Sequence, residues 1–306
     1  MADYGRAIEF GIFPTPDAAA LPELFAMVAA AERGGLDLVG VQDHPYQRRF
    51  VDSFVLLGSI LERTTHIRVF PDAANVPLRT PAMIAKAGAS LDLLSGGRFE
   101  LGLGAGAFWP AIAGLGTPAR EPAAAARALR EAVDIVRLLW SAEPSVSYPG
   151  EHYRLAGTKP GPHPAHDIGI WLGVGGPRLL EFTGRSADGW VPSAAYFPPA
   201  ALPEMHARID AGAVAAGRDP AAIKRLYNVG GSITDGASDG DFRWPASAWV
   251  EELTALVVDV GMDTVIFAPA GDAVRQVERF AAEVVPAVRE SVARERAARP
   301  GGGPSS

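Results

Sequence analysis

The sequence predicts a (β/α)8 TIM barrel with insertion loops over the C-terminal face of the strands. Three observations predict it. Strand-like and helix-like segments alternate eight times along the 306 residues. Strands such as Leu38–Val41 are short and wholly apolar, the pattern of a parallel strand buried on both faces. The alternation breaks once, at Glu143–Asp167, and then resumes. An open doubly wound sheet with a second domain would need a composition break near mid-chain, and that stretch is the only candidate. The expected organisation is therefore one domain over residues 1–294, with 143–167 as an insertion and 295–306 as a flexible tail ending in GGGPSS.

Each element has its own signal. Ile8–Phe13 is the first strand, closed by Pro14 and Pro16. A helix begins near Pro22, a favoured first-turn residue, and stops at Gly34-Gly35. Leu38–Val41 is the second strand and Asp52–Arg63 the next helix. Ile67–Phe70 is the third strand. Ile84, Ala87, Leu91 and Leu94 lie three and four apart, which predicts a helix over Pro81–Leu94. Phe99, Leu101 and Leu103 mark the fourth strand, and Leu129, Val133, Val136 and Trp140 one face of a long helix from Glu121. The Glu143–Asp167 insertion is rich in Pro, Gly and His, with one short hairpin expected around His152–Leu155, and it is read as a cover over the site. Ile170–Val174, Gly189–Pro192, Leu226–Ile233 and Thr264–Ala268 are strands five to eight. Helices follow each, the last marked by Val277, Phe280, Val284 and Val288. Thr234–Pro245 reads as a second covering loop.

Composition narrows the function classes. There is no cysteine, so there is no disulfide, no thiol nucleophile and no Cys-ligated metal. Net charge is −7 with no basic block, which argues against nucleic acid as a partner. No apolar run approaches the roughly 20 residues of a membrane span, and MADYGRAIEF lacks the regions of a signal peptide. A cytoplasmic protein without membrane contact is expected. His163 and His166 lack an accompanying carboxylate cluster, so no metal site is expected. No GxSxG, HExxH or Walker loop is present.

In a barrel the strand ends converge on one cavity. Asp43-His44 follows the second strand, Asp72, Ala73 and Asn75 the third, Gly104-Ala105-Gly106 the fourth, and Gly175-Gly176-Pro177 the fifth. His44 is the only histidine at a predicted strand end, and imidazole exchanges a proton near neutral pH. Asp43 beside it is placed to orient the ring or to meet a cofactor edge. A backbone without side chains at Gly104–Gly106 admits close approach of a flat or phosphorylated ligand. In the turn Gly175-Gly176-Pro177, before a helix, the free N–H groups of the two glycines and the helix N-terminus suit a phosphate. Tyr46, Phe108 and Trp109 suggest an apolar, aromatic substrate pocket.

Four stretches carry a family resemblance: EFGIF, LVGVQDHPYQ, SLDLLSGGRFELGLGAG and IWLGVGGPRLLEFTGRSADGW, together spanning about residues 8–192. The chain resembles the bacterial-luciferase-like oxidoreductases that use flavin or deazaflavin. The resemblance implies a (β/α)8 barrel holding an isoalloxazine-type ring at the strand C-terminal ends. It implies that Asp43 and His44 match the Asp-His pair of the deazaflavin branch, with His44 near the reactive ring carbon. It also implies that Gly175, Gly176 and Pro177 receive the phosphate of the cofactor tail, and that a non-proline cis peptide falls within Pro71–Ala74, with Asp72-Ala73 the favoured bond. One departure matters. Some deazaflavin dehydrogenases carry an acid just after the fourth-strand glycines, where this chain has Ala107, so their sugar-phosphate chemistry is not carried over.

The reading is an oxidoreductase that passes a hydride between coenzyme F420 and a small organic substrate, with His44 exchanging a proton. The alternative is an FMN monooxygenase using reduced flavin and O2, and a third reading is a non-catalytic flavin-binding barrel. The expected partners are the small-molecule substrate, a flavin or F420 reductase, and a second copy of the chain in a homodimer, the last from family habit alone.

Overall fold

The computed structural model describes residues 3–238, 240 and 242–299. The strands are β1 Glu9–Ile12, β2 Leu38–Val41, β3 Arg68–Pro71, β4 Leu101–Gly104, β5 Ile170–Leu172, β6 Gly189–Trp190, β7 Lys224–Thr234 and β8 Thr264–Pro269. They pair in parallel in the order β3-β2-β1-β8-β7-β6-β5-β4. A two-residue continuation of β3, Ala74–Asn75, pairs with Leu103 and Gly104 of β4 and closes the ring. The eightfold alternation in the sequence is thus a closed parallel barrel.

Helices α1 Leu21–Arg33, α2 Ser53–Glu62, α3 Pro81–Ser95, α4 Trp109–Gly114, α5 Pro122–Trp140, α6 Pro177–Ser186, α7 Leu202–Ala215, α8 Ala246–Ala255, α9 Ala273–Arg279 and α10 Val285–Ala298 surround it. Local signals set their ends. Asp52 caps α2 by accepting from the Val55 N–H, and Gly96 ends α3 in the left-handed conformation at φ 70°. Phe70, Trp171, Leu38, Val191, Leu226 and Ile266 fill the barrel interior. Two large rings fit there because facing positions lack side chains. A Cβ on Gly40 would stand 2.8 Å from the Phe70 ring, and one on Gly189 2.6 Å from Trp171. The main core lies between strands and helices, where Phe10, Ile12, Leu57, Val133, Trp249 and Phe280 are buried. Among the described residues no helix is long and apolar enough to cross a membrane.

Three expectations change. The predicted hairpin forms, over Val146–Pro149 and Arg154–Thr158, but no residue of 143–167 lines the central cavity. The segment lies against α5 and α3, because its polar backbone finds partners there. Glu131 accepts the N–H groups of Glu151, His152 and Tyr153, and Asp92 those of Ala165 and His166. The described residues of 234–245 do not line the cavity either; part of that loop is a strand, Arg243–Pro245, beside β7. Finally, the tail does not fray at Arg294. α10 continues to Ala298, and Arg296 donates twice to Asp3. Residues 300–306 of the predicted tail lie outside the described residues.

Candidate active site

The C-terminal ends of the strands open into a cavity of about 680 Å³. Its walls bring together Asp43, His44 and Tyr46 after β2, Asp72, Ala73 and Asn75 after β3, and Gly104, Ala105, Gly106 and Phe108 after β4, with Gly175 after β5. Two expected residues stand outside. Trp109 begins α4 and its indole packs back on the loop, 3.4 Å from where a Gly106 Cβ would be. Gly176 is the exposed N-cap of α6, with no side chain capping that end. Its N–H-rich turn still sits one residue from the cavity wall.

The residues after β2 divide into a fixed half and a free half. Asp43 is buried, and its carboxylate accepts four hydrogen bonds: from Ser53 Oγ, the Asn75 N–H, and Nε and Nη2 of Arg79. Arg79 also pairs with the α2 cap Asp52 at 2.6 Å. The carboxylate therefore ties β2 to α2 and to the turn after β3, and does not orient the imidazole. His44 instead meets Tyr46, whose Oη lies 2.9 Å from Nδ1, while Nε2 has no partner among the described residues. Burial lowers the His44 pKa, against the opposing pull of Asp43, so the ring is neutral at pH 7. Burial, with help from Asp43 and Tyr196, pushes the Tyr46 phenol up to about 12.

The cavity floor carries acceptors without donors. Asp72 Oδ2, Asn75 Oδ1 and Asn228 Oδ1 are buried with no hydrogen-bond partner. Burial raises the Asp72 pKa to about 7, and a hydrogen bond from Asn228 only partly offsets it. The peptide between Asp72 and Ala73 is cis, at the position the resemblance marks. Ala73, Gly104, Gly173 and Gly230 leave the wall flat. A Cβ on Gly173 would stand 3.3 Å from that of Ala73.

Sequence reasoning missed Asn228, Tyr196 and Phe197. The signal for Asn228 was present: it is the one polar amide in the β7 run Leu226–Val229, and strand alternation puts it on the same face as Gly230. Tyr196 and Phe197 lie after β6 in a loop with no regular pattern. There the Tyr227 hydroxyl fixes the loop by donating to the Phe197 carbonyl at 2.7 Å.

The sequence profile of the luciferase-like monooxygenases matches residues 5–239. The chain belongs to that family. An F420-dependent glucose-6-phosphate dehydrogenase of Segniliparus rotundus is 31% identical to this luciferase-like protein, over 68% of this chain and 63% of that one. The match to this relative thus spans somewhat under two thirds of its length. A protein of the same name from Kineococcus radiotolerans is 26% identical over 94% of this chain and 98% of that one. Among solved structures, an F420-dependent secondary alcohol dehydrogenase in complex with an F420-acetone adduct superposes with a TM-score of 0.81. It is 18% identical and covers 92% of this chain and 99% of its own, a likeness of fold.

Proposed function

We propose that this protein is an F420-dependent oxidoreductase that moves a hydride between the deazaflavin and a small, uncharged, largely apolar substrate. The observation that carries the reading is an imidazole, His44, on the wall of the cavity, with Nδ1 met by Tyr46 and Nε2 without a partner among the described residues, above a floor that suits a planar ring with polar edges. The relatives named for F420 support the cofactor. The fit to the group rests on this chain's own residues. The three unpartnered acceptors, Asp72 Oδ2, Asn75 Oδ1 and Asn228 Oδ1, match a ligand that brings N–H and hydroxyl donors. The open α6 N-terminus at Gly176 suits the tail phosphate. When bound, the deazaflavin supplies two-electron hydride chemistry. The chain's residues hold ring and substrate together, limit water, and exchange the proton at His44.

The relatives' named substrate is not carried over. No Lys or Arg lines the cavity among the described residues, so a sugar phosphate would bring its charge to a wall without a cation. Ala107 stands on that wall where an acid would be needed. Tyr46, Phe108, Tyr196 and Phe197 line the cavity with aromatic surface instead.

Titration with oxidised F420, and separately with oxidised and reduced FMN, tests the cofactor by fluorescence. Tight binding of F420 is expected. Preference for reduced FMN would move the protein to the oxygen-using branch, and binding of neither would remove the reading. His44→Ala should lower turnover by about 10²-fold or more with cofactor affinity within a few-fold of the original. Equal losses in both would remove the catalytic role. Cytoplasmic location and supply of reduced cofactor by a partner reductase follow the same reading. A homodimer would cover Val55, Met83 and Leu94 of α2 and α3, which are exposed, and light scattering reports it.

A further inference from the structure

His44 has two ring nitrogens, and which one bears the proton decides what the residue can do. A bare Nε2 can only accept a proton from substrate; a protonated Nε2 can only give one. Asp43, the adjacent carboxylate, does not make the choice, because all its hydrogen bonds go to Ser53, Asn75 and Arg79. The choice falls to Tyr46, whose Oη is 2.9 Å from Nδ1.

The donor in this contact follows from the partners present. Tyr46 Oη has no other partner among the described residues. Either tautomer leaves one hydrogen without a protein acceptor, the phenolic one or that on Nε2, so donor and acceptor strength decides. A phenol is a stronger donor than an imidazole N–H, and an imidazole nitrogen a stronger acceptor than a phenol oxygen, so Oη donates and the proton of the neutral ring sits on Nε2. A cluster of tilted and edge-on rings reinforces this geometry. Phe108 lies 5.7 Å from the His44 ring and 6.0 Å from that of Tyr46, so both rings are held by a third.

We propose that Tyr46 is a positioning residue: its phenolic O–H, donated to Nδ1, holds His44 in the tautomer that carries its proton on Nε2 and so sets the site to protonate a substrate oxygen in the reductive direction. The proposal rests on the oxidoreductase reading for its chemistry and on geometry alone for its tautomer. With a reduced deazaflavin bound as hydride donor, a carbonyl carbon would accept the hydride and a C–H bond would form. The C=O π pair moves to oxygen, which takes the Nε2 proton. Nδ1 takes the phenolic proton and Tyr46 is left as a phenolate; solvent then protonates Nε2, and Nδ1 returns its proton to Tyr46, which restores the starting tautomer. An alkoxide is basic enough to draw a proton from a phenol that holds it as firmly as this one does. The reverse reaction starts from the phenolate, which is scarce at neutral pH, so the pair favours reduction over alcohol oxidation as a resting arrangement.

The test uses the protein without cofactor. Nitrogen-15 NMR of the labelled histidines, with the His44 signals assigned by their loss in His44→Gln, reads the tautomer directly at neutral pH. Nδ1 should be unprotonated and Nε2 protonated. Protonated Nδ1 in the unaltered protein overturns the proposal, and this spectrum needs no Tyr46 variant to fold. Tyr46→Phe should then mix the two tautomers and lower the reductive kcat by about 100-fold, with cofactor Kd unchanged. A variant that keeps both the tautomer and kcat also overturns it. Failure of F420 to bind, with the expected tautomer present, would count against the cofactor reading alone.

Discussion

Asp72 is a carboxyl group that lines a cavity with no cation holding it ionised, and its behaviour with pH follows from that. Its Oδ2 stands over Gly40 without a partner. Its pKa is about 7 in the folded chain against an ordinary value of 3.8. Between those values the folded state keeps a proton that the unfolded state has lost. Stability is therefore full below about pH 4, falls as pH rises toward 7, and stays lowered above it. The difference corresponds to roughly 4 kcal/mol at most. Asp72→Asn, which cannot ionise, should be more stable than the original by about 2–4 kcal/mol at pH 8, with the gain vanishing near pH 4. Urea melts across that range measure it, and a gain independent of pH would refute the assignment. The position of Asp72 was legible from the end of the third strand in a barrel, and the resemblance added the cis peptide that follows it. Its lack of a partner was not legible, because burial and orphaned oxygens depend on what other strands bring. Asn228 comes from β7, far away in the chain.

At the scale of elements, the turn after β2 owes its shape to α2 and the turn after β3. Arg79 joins them by holding both Asp43 and the α2 cap Asp52, and its guanidinium lies 4.7 Å from the Phe54 ring. Arg79→Met would leave the buried Asp43 carboxylate without its cation, and should cost about 3–5 kcal/mol of stability. A thermal melt checks this, and a change under about 1 kcal/mol would mean that Ser53 and the Asn75 N–H suffice. The loop after β6 offers a steric test. A Cβ at Gly175 would fall 2.1 Å from the Phe197 ring, so Gly175→Ala must move that loop. Cofactor affinity should weaken at least about tenfold by fluorescence titration, with little change in the fold's circular dichroism. Strands were legible because buried parallel strands are continuous apolar runs, and helices because their stripes repeat every three or four residues. Covering loops were not. Residues 143–167 look like a lid from composition, yet their N–H groups are claimed by Glu131 and Asp92 on the barrel's flank. The real rim, at Phe108, Tyr196 and Phe197, has no periodic signature.

For the whole molecule, the two ends of the barrel carry different work. At the N-terminal end Arg68 bridges Glu9 and Glu100, Lys224 pairs with Glu9, and Glu100 accepts the N–H of Gly169 at 2.7 Å. Asp92, fully buried at the end of α3, accepts from the N–H groups of Ala165 and His166 and sits 2.8 Å from His166 Nδ1. None of these groups lines the cavity. Charges there join β1, β3, β4, β7 and the entry to β5, whereas the cavity end keeps unpartnered polar atoms. The unpartnered Asp72, Asn75 and Asn228 oxygens line the site, whereas at the opposite end the charged groups chiefly tie strands together, although Arg225 Nε and Nη1 and His166 Nε2 also lack a hydrogen-bond partner there. Asp92→Ala should therefore lower stability by about 3 kcal/mol, since it strands the N–H groups of Phe99, Ala165 and His166 and removes the partner of the His166 ring. It should leave cofactor Kd and kcat within about twofold at a temperature where the variant is folded. His44→Ala should do the reverse: turnover falls while the melting temperature holds. Measuring both variants by calorimetry and by kinetics separates the two ends. If Asp92→Ala changed Kd as much as stability, the ends would be coupled through the strands and the division of labour would not hold.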